Sequence, residues 1–235
     1  MALELYDLEK AAFEVRFKRA FLHWDRAGRF WNRMLRDFPD LENSTGEPGR
    51  TVFLLRRDYQ LTLQLESANI MADEPGNLDE LSLLAERVTT AVNEEFEVAD
   101  YVRIGLRMTF FRSLASQVDA AKAVAAFGLL RIPHGRYFDV SEQPTNLSYI
   151  ARWDGKPFGA LVQVNSDGRK IELKPPFGMK EIKPYNEVRH GATVDVDYYS
   201  TQALPTSQLK ASEWIKQAEH MIRRDTDRIL ESPKA

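Results

Sequence analysis

The sequence contains no cysteine, and this absence excludes several kinds of chemistry at once. Disulfides, thiolate zinc sites, iron–sulfur clusters and cysteine nucleophiles all require thiol groups. Long hydrophobic runs are also missing, because the most apolar stretch, residues 120–132, is interrupted by Lys122 and Arg131 and is shorter than the ~18 residues of a membrane span. The first ten residues carry acidic side chains and no basic segment before an apolar one, so no targeting peptide is predicted. We therefore expect a cytoplasmic protein that does not associate with membranes.

The sequence has 32 basic and 35 acidic side chains and a formal net charge of −3, so neither sign of charge is in large excess. This balance gives no overall attraction to nucleic acid. The four histidines are scattered, with no H-x-x-x-H spacing that would place two imidazoles on one helix face. The nucleophile motif G-x-S-x-G and the phosphate-binding motifs G-x-x-x-x-G-K-[ST] and G-x-G-x-x-G do not occur. We predict no cofactor, and the absence of catalytic motifs favours a protein that is not an enzyme.

The residues that are present favour a globular protein, because 43% of the 235 residues are hydrophobic. Alternating and helical apolar periodicities in the first half predict the order βαββαβ, which is that of a ferredoxin-like unit. The segment between Asn43 and Gly49 is rich in turn residues and is predicted to be a loop. The predicted elements are a strand at 12–18, a helix at 25–38, a hairpin of strands 51–55 and 59–66, a helix at 77–95 and a strand at 101–111.

The second half predicts a related set of strands and helices. Two dipeptides, Asp154-Gly155 and Asp167-Gly168, suit the tight turns of hairpins. The predicted elements are a helix at 114–127, strands at 147–153, 158–164, 170–173 and 193–199, a loop at 174–189 and a long closing helix at 207–230. The fold class is therefore α+β, with a ferredoxin-like lobe at residues 1–112 and a second, interlocked α+β lobe at residues 113–235.

Three strand sequences together resemble a known family. They are F-E-V-R-F at 13–17, V-R-I-G-L-R at 102–107 and V-D-V-D-Y at 194–198, the last of which leads to the terminal helix. They are similar to a sporadically distributed bacterial family of uncharacterised proteins, in which an R-x-G-L-R strand closes the first lobe. The resemblance implies tandem α+β lobes and the patchy distribution of mobile or antiviral defence genes, and it implies no catalytic residue.

Four cationic residues are predicted to share one face of the sheet. Arg16 and Lys18 lie on the first strand, and Arg103 and Arg107 lie on the strand predicted to be its neighbour. These side chains could bind phosphates or carboxylates, including those of a nucleic acid. Alternatively, this face packs against the second lobe and the arginines pair with acidic residues such as Asp195 and Asp197, which is the alternative we favour because aromatic side chains for base stacking are lacking.

Asp195 and Asp197 are the strongest candidates for metal chemistry. Residues two apart on a strand project from the same face, so their carboxylates could converge on one divalent cation. Paired acids of this kind serve metal-dependent phosphoryl transfer. The competing interpretation, which we favour, is that Val194, Val196 and Tyr198 fill the core while the two acids line a solvated face or an interface. No metal site is therefore predicted, except in that alternative.

Two further features were selected from the pattern of apolar residues. Phe177 and Met179 lie beside two prolines in the predicted loop and could contact a partner protein. Alternatively, this loop is a rigid connection that covers the edge of the sheet. Asp225 interrupts the apolar stripe of the last helix, and a buried carboxylate requires a partner, for which we expect an arginine.

These observations predict a non-enzymatic binding or adaptor component of a bacterial multi-protein system, with a protein partner. The alternatives are a nucleic-acid-binding protein that uses the arginine face and a metal-dependent phosphoryl-transfer enzyme that uses Asp195 and Asp197. The oligomeric state cannot be predicted from these patterns.

Overall fold

The computed structural model describes residues 2–18, 22–39, 41, 43–47, 49–56, 58–130, 144–173 and 185–231. Within them the α-helices are α1 (Leu22–Asp37), α2 (Asp79–Phe96), α3 (Gln117–Ala125) and α4 (Ala211–Leu230). Short 3-10 helices lie at Ala2–Leu5 and Thr206–Gln208. The strands are β1 (Asp7–Phe17), β2 (Asn43–Glu47), β3 (Arg50–Arg56), β4 (Tyr59–Gln64), β5 (Ser67–Asp73), β6 (Asp100–Leu114), β7 (Ser148–Asp154), β8 (Phe158–Leu173), β9 (Tyr185–Ser200) and β10 (Leu204–Pro205).

All of these strands belong to one antiparallel sheet in the described part of the chain. Its order is β2-β3-β4-β5-β1-β6-β9-β8-β7, and β10 pairs separately with β6. The α+β class predicted from the sequence is confirmed. The predicted boundary between residues 112 and 113 falls inside β6, which pairs with β1 over one part of its length and with β9 over an overlapping part.

One row of cross-strand neighbours shows where the core lies. The register places eight apolar side chains in line from β3 to β7, and the row reads Phe53, Leu61, Ile70, Phe13, Leu106, Tyr198, Ala160 and Trp153. The first five are buried, whereas Tyr198 and Ala160 are half-buried and Trp153 is 45% exposed. The apolar face of the sheet is therefore covered at the β3 end and becomes progressively exposed towards β7.

The helices supply the cover for this face. Phe30 and Met34 of α1, and Phe38 directly after it, recur every four residues and are buried, as expected for one face of a helix. Phe30 lies 6.0 Å from Phe53 of the sheet, between ring centroids. At the other end of the helical layer, Trp214 of α4 packs edge-on against Phe13 at 6.0 Å. Buried side chains of the helices and of the sheet form one hydrophobic cluster.

The first half contains two strands that were not predicted. Residues 43–47, predicted to be a loop, form strand β2, and residues 67–73, which were not assigned, form β5. Four strands thus separate α1 from α2 in place of the predicted two. Leu35, an apolar residue of the helix predicted at 25–38, is 45% exposed because the buried stripe follows Phe30 and Met34.

In the second half, the predicted turn at Asp167-Gly168 is wrong. β8 runs straight through it from Phe158 to Leu173 and pairs with β9 along its whole length. Residues 185–189, predicted to belong to a loop, are the start of β9. The turn after Asp154 exists, but Gly155 does not have the positive φ expected there. Its lack of a side chain is needed for another reason, since a Cβ would lie 2.7 Å from the carbonyl oxygen of Phe158.

The ends of the shorter helices follow local rules. Ser116 caps α3 by accepting a hydrogen bond from the backbone N–H of Asp119 at 3.2 Å. Gly128 follows α3 with φ of +69°, the left-handed conformation in which glycine often ends a helix. None of the helices in the described ranges combines the length and the apolar character needed to cross a membrane.

Candidate binding surfaces

The predicted cationic residues lie on the face of the sheet opposite to the hydrophobic core. β1 and β6 are neighbours, as expected, and their register pairs Arg16 with Arg103 and Ala12 with Arg107. The alternation along β1 buries Phe13, Val15 and Phe17 on the core side and turns the intervening residues away from it. Lys18 follows the end of β1 and is exposed. We call the surface formed by Arg16, Arg103, Arg107 and their carboxylate neighbours the polar face.

Arg103 lies at the centre of the polar face. Its Nη1 donates to Oε2 of Glu14 on β1 at 2.6 Å, and its Nη2 donates to Oδ2 of Asp197 on β9 at 2.7 Å. The guanidinium also lies 4.7 Å from the ring centroid of Tyr199. Gly105 leaves room for this side chain, because a Cβ there would lie 3.2 Å from Nη1. Arg103 therefore connects three adjacent strands through charged hydrogen bonds.

Arg107 forms a second, bidentate pair. Its Nε and Nη2 donate to the two oxygens of Asp195 at 2.9 Å and 2.7 Å. Thr109 donates its hydroxyl to the same carboxylate at 2.8 Å. The hydrogen bonds to Asp195 raise the pKa of Arg107, although partial burial opposes this shift. The carboxylate is buried, whereas the side chain of Arg107 is 59% exposed, so the pair lies at the surface of the sheet.

The expected pairing of Arg103 and Arg107 with Asp197 and Asp195 is therefore observed, but its origin differs from the expected one. Both acids lie on β9, which is the sheet neighbour of β6, so the pairs form within one face of one sheet. They do not require the packing of one lobe on another. Arg16 donates to Glu14 at 2.8 Å and remains largely exposed.

These contacts also bear on the alternative in which Asp195 and Asp197 bind a metal ion. Asp195 and Asp197 do share a face, but the hydrogen bonds above direct each carboxylate towards a guanidinium. Burial raises the pKa of Asp197 and outweighs the opposing effects of Arg103 and Arg107. Among the described residues, no group of three or more acidic or histidine side chains is arranged to hold a metal ion.

A recess of about 520 Å³ opens on the polar face. Its floor contains small residues, Ala12 and Gly105, and its walls include Lys10, Arg16 and Arg107. The recess is thus polar and partly neutralised by the carboxylates of the surrounding pairs. Phe177 and Met179, which were predicted to form a partner-binding loop, lie outside the described residues.

A second surface was not predicted from the sequence. It is an apolar groove of about 680 Å³ between α4 and the β7–β8 hairpin, on the core face of the sheet. Val162 and Val196 contribute to its floor, and Ile222 and Ile229 of α4 line one side. An adjoining recess of about 500 Å³ shares Phe158, Tyr198 and Met221 with it. We call the two together the α4 groove.

Aromatic side chains define one end of the α4 groove. The rings of Phe158 and Tyr198 lie 5.3 Å apart, and those of Tyr198 and Trp214 lie 6.2 Å apart, between centroids. Phe158 and Trp153 are partly exposed despite their size. Large aromatic residues left at a surface in this way are typical of protein-binding sites.

Charged residues surround the α4 groove. Arg152 donates to Asp154 at 2.8 Å. On α4, Asp225 accepts two hydrogen bonds from Arg224, both at 2.8 Å, and one from Arg228 at 3.3 Å. The bonds from Arg224 are the main reason why the pKa of Asp225 is lowered. The expected arginine partner of Asp225 is confirmed, whereas its expected burial is wrong, because the side chain is 45% exposed.

The buried acid of α4 is Asp227, which the sequence pattern did not single out. Its Oδ1 accepts the backbone N–H of Leu3 at 2.8 Å and so holds the first 3-10 helix against α4. The α4 groove itself could have been suspected from β7, where Tyr149, Ile150, Ala151 and Trp153 place apolar residues on both faces of a strand.

A comparison with models of known protein families finds no match to this chain. A comparison with curated proteins also finds none.

Proposed function

We propose that the protein is a non-enzymatic binding component whose α4 groove holds an amphipathic helix of a partner protein. The observation that carries this proposal is the apolar row across the sheet. Its first five members are buried, but its last member, Trp153, is 45% exposed on the edge strand β7. A helix placed beside α4 over β8 and β7 would complete the helical layer and remove this apolar surface from water.

The dimensions of the α4 groove suit a helix. Its lining on α4 extends from Trp214 to Ile229, which corresponds to roughly 22 Å at the rise of an α-helix. The floor consists of small and branched residues, Ala160 and Val162 of β8 and Val196 of β9, which allow close approach of a helix.

The charges around the groove favour an acidic partner. Arg152, Arg228 and Lys216 line it together with the acids Asp154 and Asp225, and Arg224 adjoins it through its hydrogen bonds to Asp225. Both acids already accept hydrogen bonds from arginines. The excess of cations favours a partner helix with glutamate or aspartate beside its apolar stripe, since charge complementarity directs association and selects partners.

The biological setting rests on the resemblance of the three strand sequences. From it we propose that the partner belongs to the same bacterial multi-protein system, of a mobile-element or antiphage defence kind, and that the protein acts in the cytoplasm. We also propose that β4, β5, β1 and β6, which lie side by side in this order with α1 and α2 connecting them, are a ferredoxin-like unit extended by the β2–β3 hairpin.

The proposal is tested by purifying the tagged full-length chain from its source cells in three forms. These are the wild type, Ala160→Glu, which places a carboxylate in the α4 groove, and the matched control Arg107→Gln on the polar face. We expect a stoichiometric partner to accompany the wild type and Arg107→Gln and to be lost from Ala160→Glu, with all three melting cooperatively. Retention by Ala160→Glu together with loss from Arg107→Gln would contradict the proposal.

Nucleic-acid binding by the polar face is the second candidate, and exposed Arg16 and Arg107 beside Lys10 are the observation in its favour. If it holds, the affinity for single-stranded DNA or RNA falls steeply with salt, because phosphates release counterions when cations neutralise them. Arg107→Gln then lowers the salt slope by about one unit. A wild-type affinity that does not respond to salt, or no affinity at all, eliminates this candidate.

A further inference from the structure

The two edges of the sheet differ in composition. β2, at one edge, has the sequence N-S-T-G-E, which is polar and carries a glycine and an acid. β7, at the other edge, has the sequence S-Y-I-A-R-W-D, with no glycine or proline. Ile150 of β7 is 62% exposed and Trp153 is 45% exposed. Natural sheets protect their edges with polar, charged or irregular strands. β2 is polar along its length, whereas β7 exposes large apolar side chains beside its two charged residues, Arg152 and Asp154.

The outer edge of β7 also offers backbone groups for pairing. Its inner edge pairs with β8 over seven residues in regular register. In the described part of the chain, no strand pairs with its outer edge. A row of backbone N–H and C=O groups beside exposed apolar side chains is a template for an additional strand.

The sequence of β7 is complementary to itself in one antiparallel register. If two copies pair over the whole strand, Ala151 lies opposite Ala151 on the two-fold axis. Tyr149 then faces Trp153 of the second copy on the core side, which is a favourable aromatic pair. Ser148 faces Asp154, and Ile150 faces Arg152, so no like charges meet. Moving the axis to residue 152 would place two arginines directly opposite each other, which is unfavourable.

We propose that β7 pairs with β7 of a second copy of this chain in this register, forming one continuous sheet across a symmetric dimer. The inference stands apart from the proposed function. It would place the two α4 grooves on the same face of the joined sheet, because Tyr149, Ala151 and Trp153 lie on the groove side of β7. A single strand junction buries less than the ~1,000 Å² typical of a stable interface, so we expect the dimer to form at micromolar concentrations or above.

The natural absence of cysteine makes the register directly measurable. Ala151→Cys places two thiols opposite each other, with Cα atoms about 4.5 to 5.5 Å apart, which permits a disulfide. In the matched control Ile150→Cys, the two thiols are offset along the strands to a Cα separation of roughly 8 Å, which is too long for one. We expect mild oxidation of the full chain to link Ala151→Cys at least about tenfold faster. Equal rates, or no linked dimer from Ala151→Cys, would overturn the proposal.

Sedimentation measurements supply the second readout. The mass of the wild type should rise with concentration from 27.0 kDa towards twice that value. Ile150→Lys should remain monomeric, because it places a lysine opposite Arg152 of the second copy. Val188→Lys, a control at another exposed apolar residue, should behave as the wild type does. A wild type that stays monomeric up to about 200 µM, or an Ile150→Lys variant that dimerises like it, would show that β7 does not join two copies.

Discussion

At the residue scale, the polar face consists of three mostly buried carboxylates and the arginines that bind them. Glu14, Asp195 and Asp197 are largely buried at the side chain, and each accepts at least one hydrogen bond from a guanidinium. Removal of a guanidinium would leave such a carboxylate without its charged partner. The cost depends on how far both groups are removed from water.

Because the arginines differ in burial, we expect an order of destabilisation for three substitutions to glutamine. Arg103→Gln removes the 21%-exposed guanidinium that binds two acids and should cost about 2 to 4 kcal/mol of unfolding free energy. Arg107→Gln should cost about 1 to 2 kcal/mol, because Arg107 is mostly exposed. Arg16→Gln should cost less than about 1 kcal/mol. Denaturant unfolding of the three variants gives the values directly, and a cost for Arg16→Gln equal to that for Arg103→Gln would refute this order.

The buried His23 predicts how the stability of the fold depends on pH. It is buried beside Phe96, at 5.4 Å between ring centroids, and its Nε2 has no hydrogen-bond partner among the described residues. Burial lowers the pKa of His23. The unfolded chain therefore binds a proton at this site at a higher pH than the folded chain does, and stability falls as the pH drops below about 6.5.

The slope attributable to His23 is at most about 1.4 kcal/mol per pH unit, and it ends at the folded-state pKa. His23→Leu removes the titrating group and should flatten the dependence of unfolding free energy on pH between 6.5 and the lower pKa. Measurements of urea unfolding at several pH values test this, with wild type as the reference. Identical pH profiles for the two proteins would exclude His23 as a contributor.

Sequence patterns predicted the face of these residues well but predicted burial poorly. Alternation along β1 and β6 placed the three arginines on one face, and the i, i+2 spacing did the same for Asp195 and Asp197, because strand geometry alone decides this. Asp225 and Asp227 show the limit. Asp225 interrupts the predicted apolar stripe of α4 and Asp227 does not, but only contact with Leu3, which is 224 positions away in sequence, determines that Asp227 is the buried acid.

At the element scale, α1 shows how a helix selects its buried face. The predicted helix at 25–38 carries five large apolar residues, and of these only Leu35 points to solvent. Contact with Phe53 of the sheet holds Phe30 and Trp31 on the buried side of the helix, and Leu35 is left on the exposed side. Helical periodicity cannot make that choice.

The burial of Phe30 and the exposure of Leu35 can be tested directly by substitution. Phe30→Ala removes a ring in contact with Phe53 and Phe96 and should lower the unfolding free energy by about 3 to 5 kcal/mol. Leu35→Ala should change it by less than about 0.5 kcal/mol, because the side chain is exposed and alanine favours helices. Thermal or chemical unfolding compares the two. A large loss from Leu35→Ala would mean that the stripe of α1 is assigned incorrectly.

Of all features of the fold, the limits of the strands were the hardest to predict from the sequence. β2 is made of residues that favour turns, and it is a strand because β3 pairs with it along five positions. β8 passes through Asp167-Gly168 because β9 pairs with every residue of it, including Gly168 with His190. In both cases the tertiary partner overrides the local preference of the chain.

At the scale of the whole molecule, the sheet joins the two halves of the chain. β6 and β9 pair over ten positions, and the apolar row crosses this junction without interruption. The α+β class was predictable from periodicity, because it needs only the types of elements. The uncovered part of the row was not, because it depends on which strands the helices cover.

In the proposed function, the α4 groove at this exposed end of the row binds an acidic amphipathic helix. The most direct measurement is a calorimetric titration of the full chain with two synthetic helices of about 20 residues that share one leucine stripe. One carries glutamate beside the stripe and the other carries lysine at the same positions. We predict that the glutamate peptide binds at least about tenfold more tightly, and that Ala160→Glu but not Arg107→Gln abolishes this binding. Equal affinity for the two peptides, no binding of either, or unchanged binding by Ala160→Glu would contradict it.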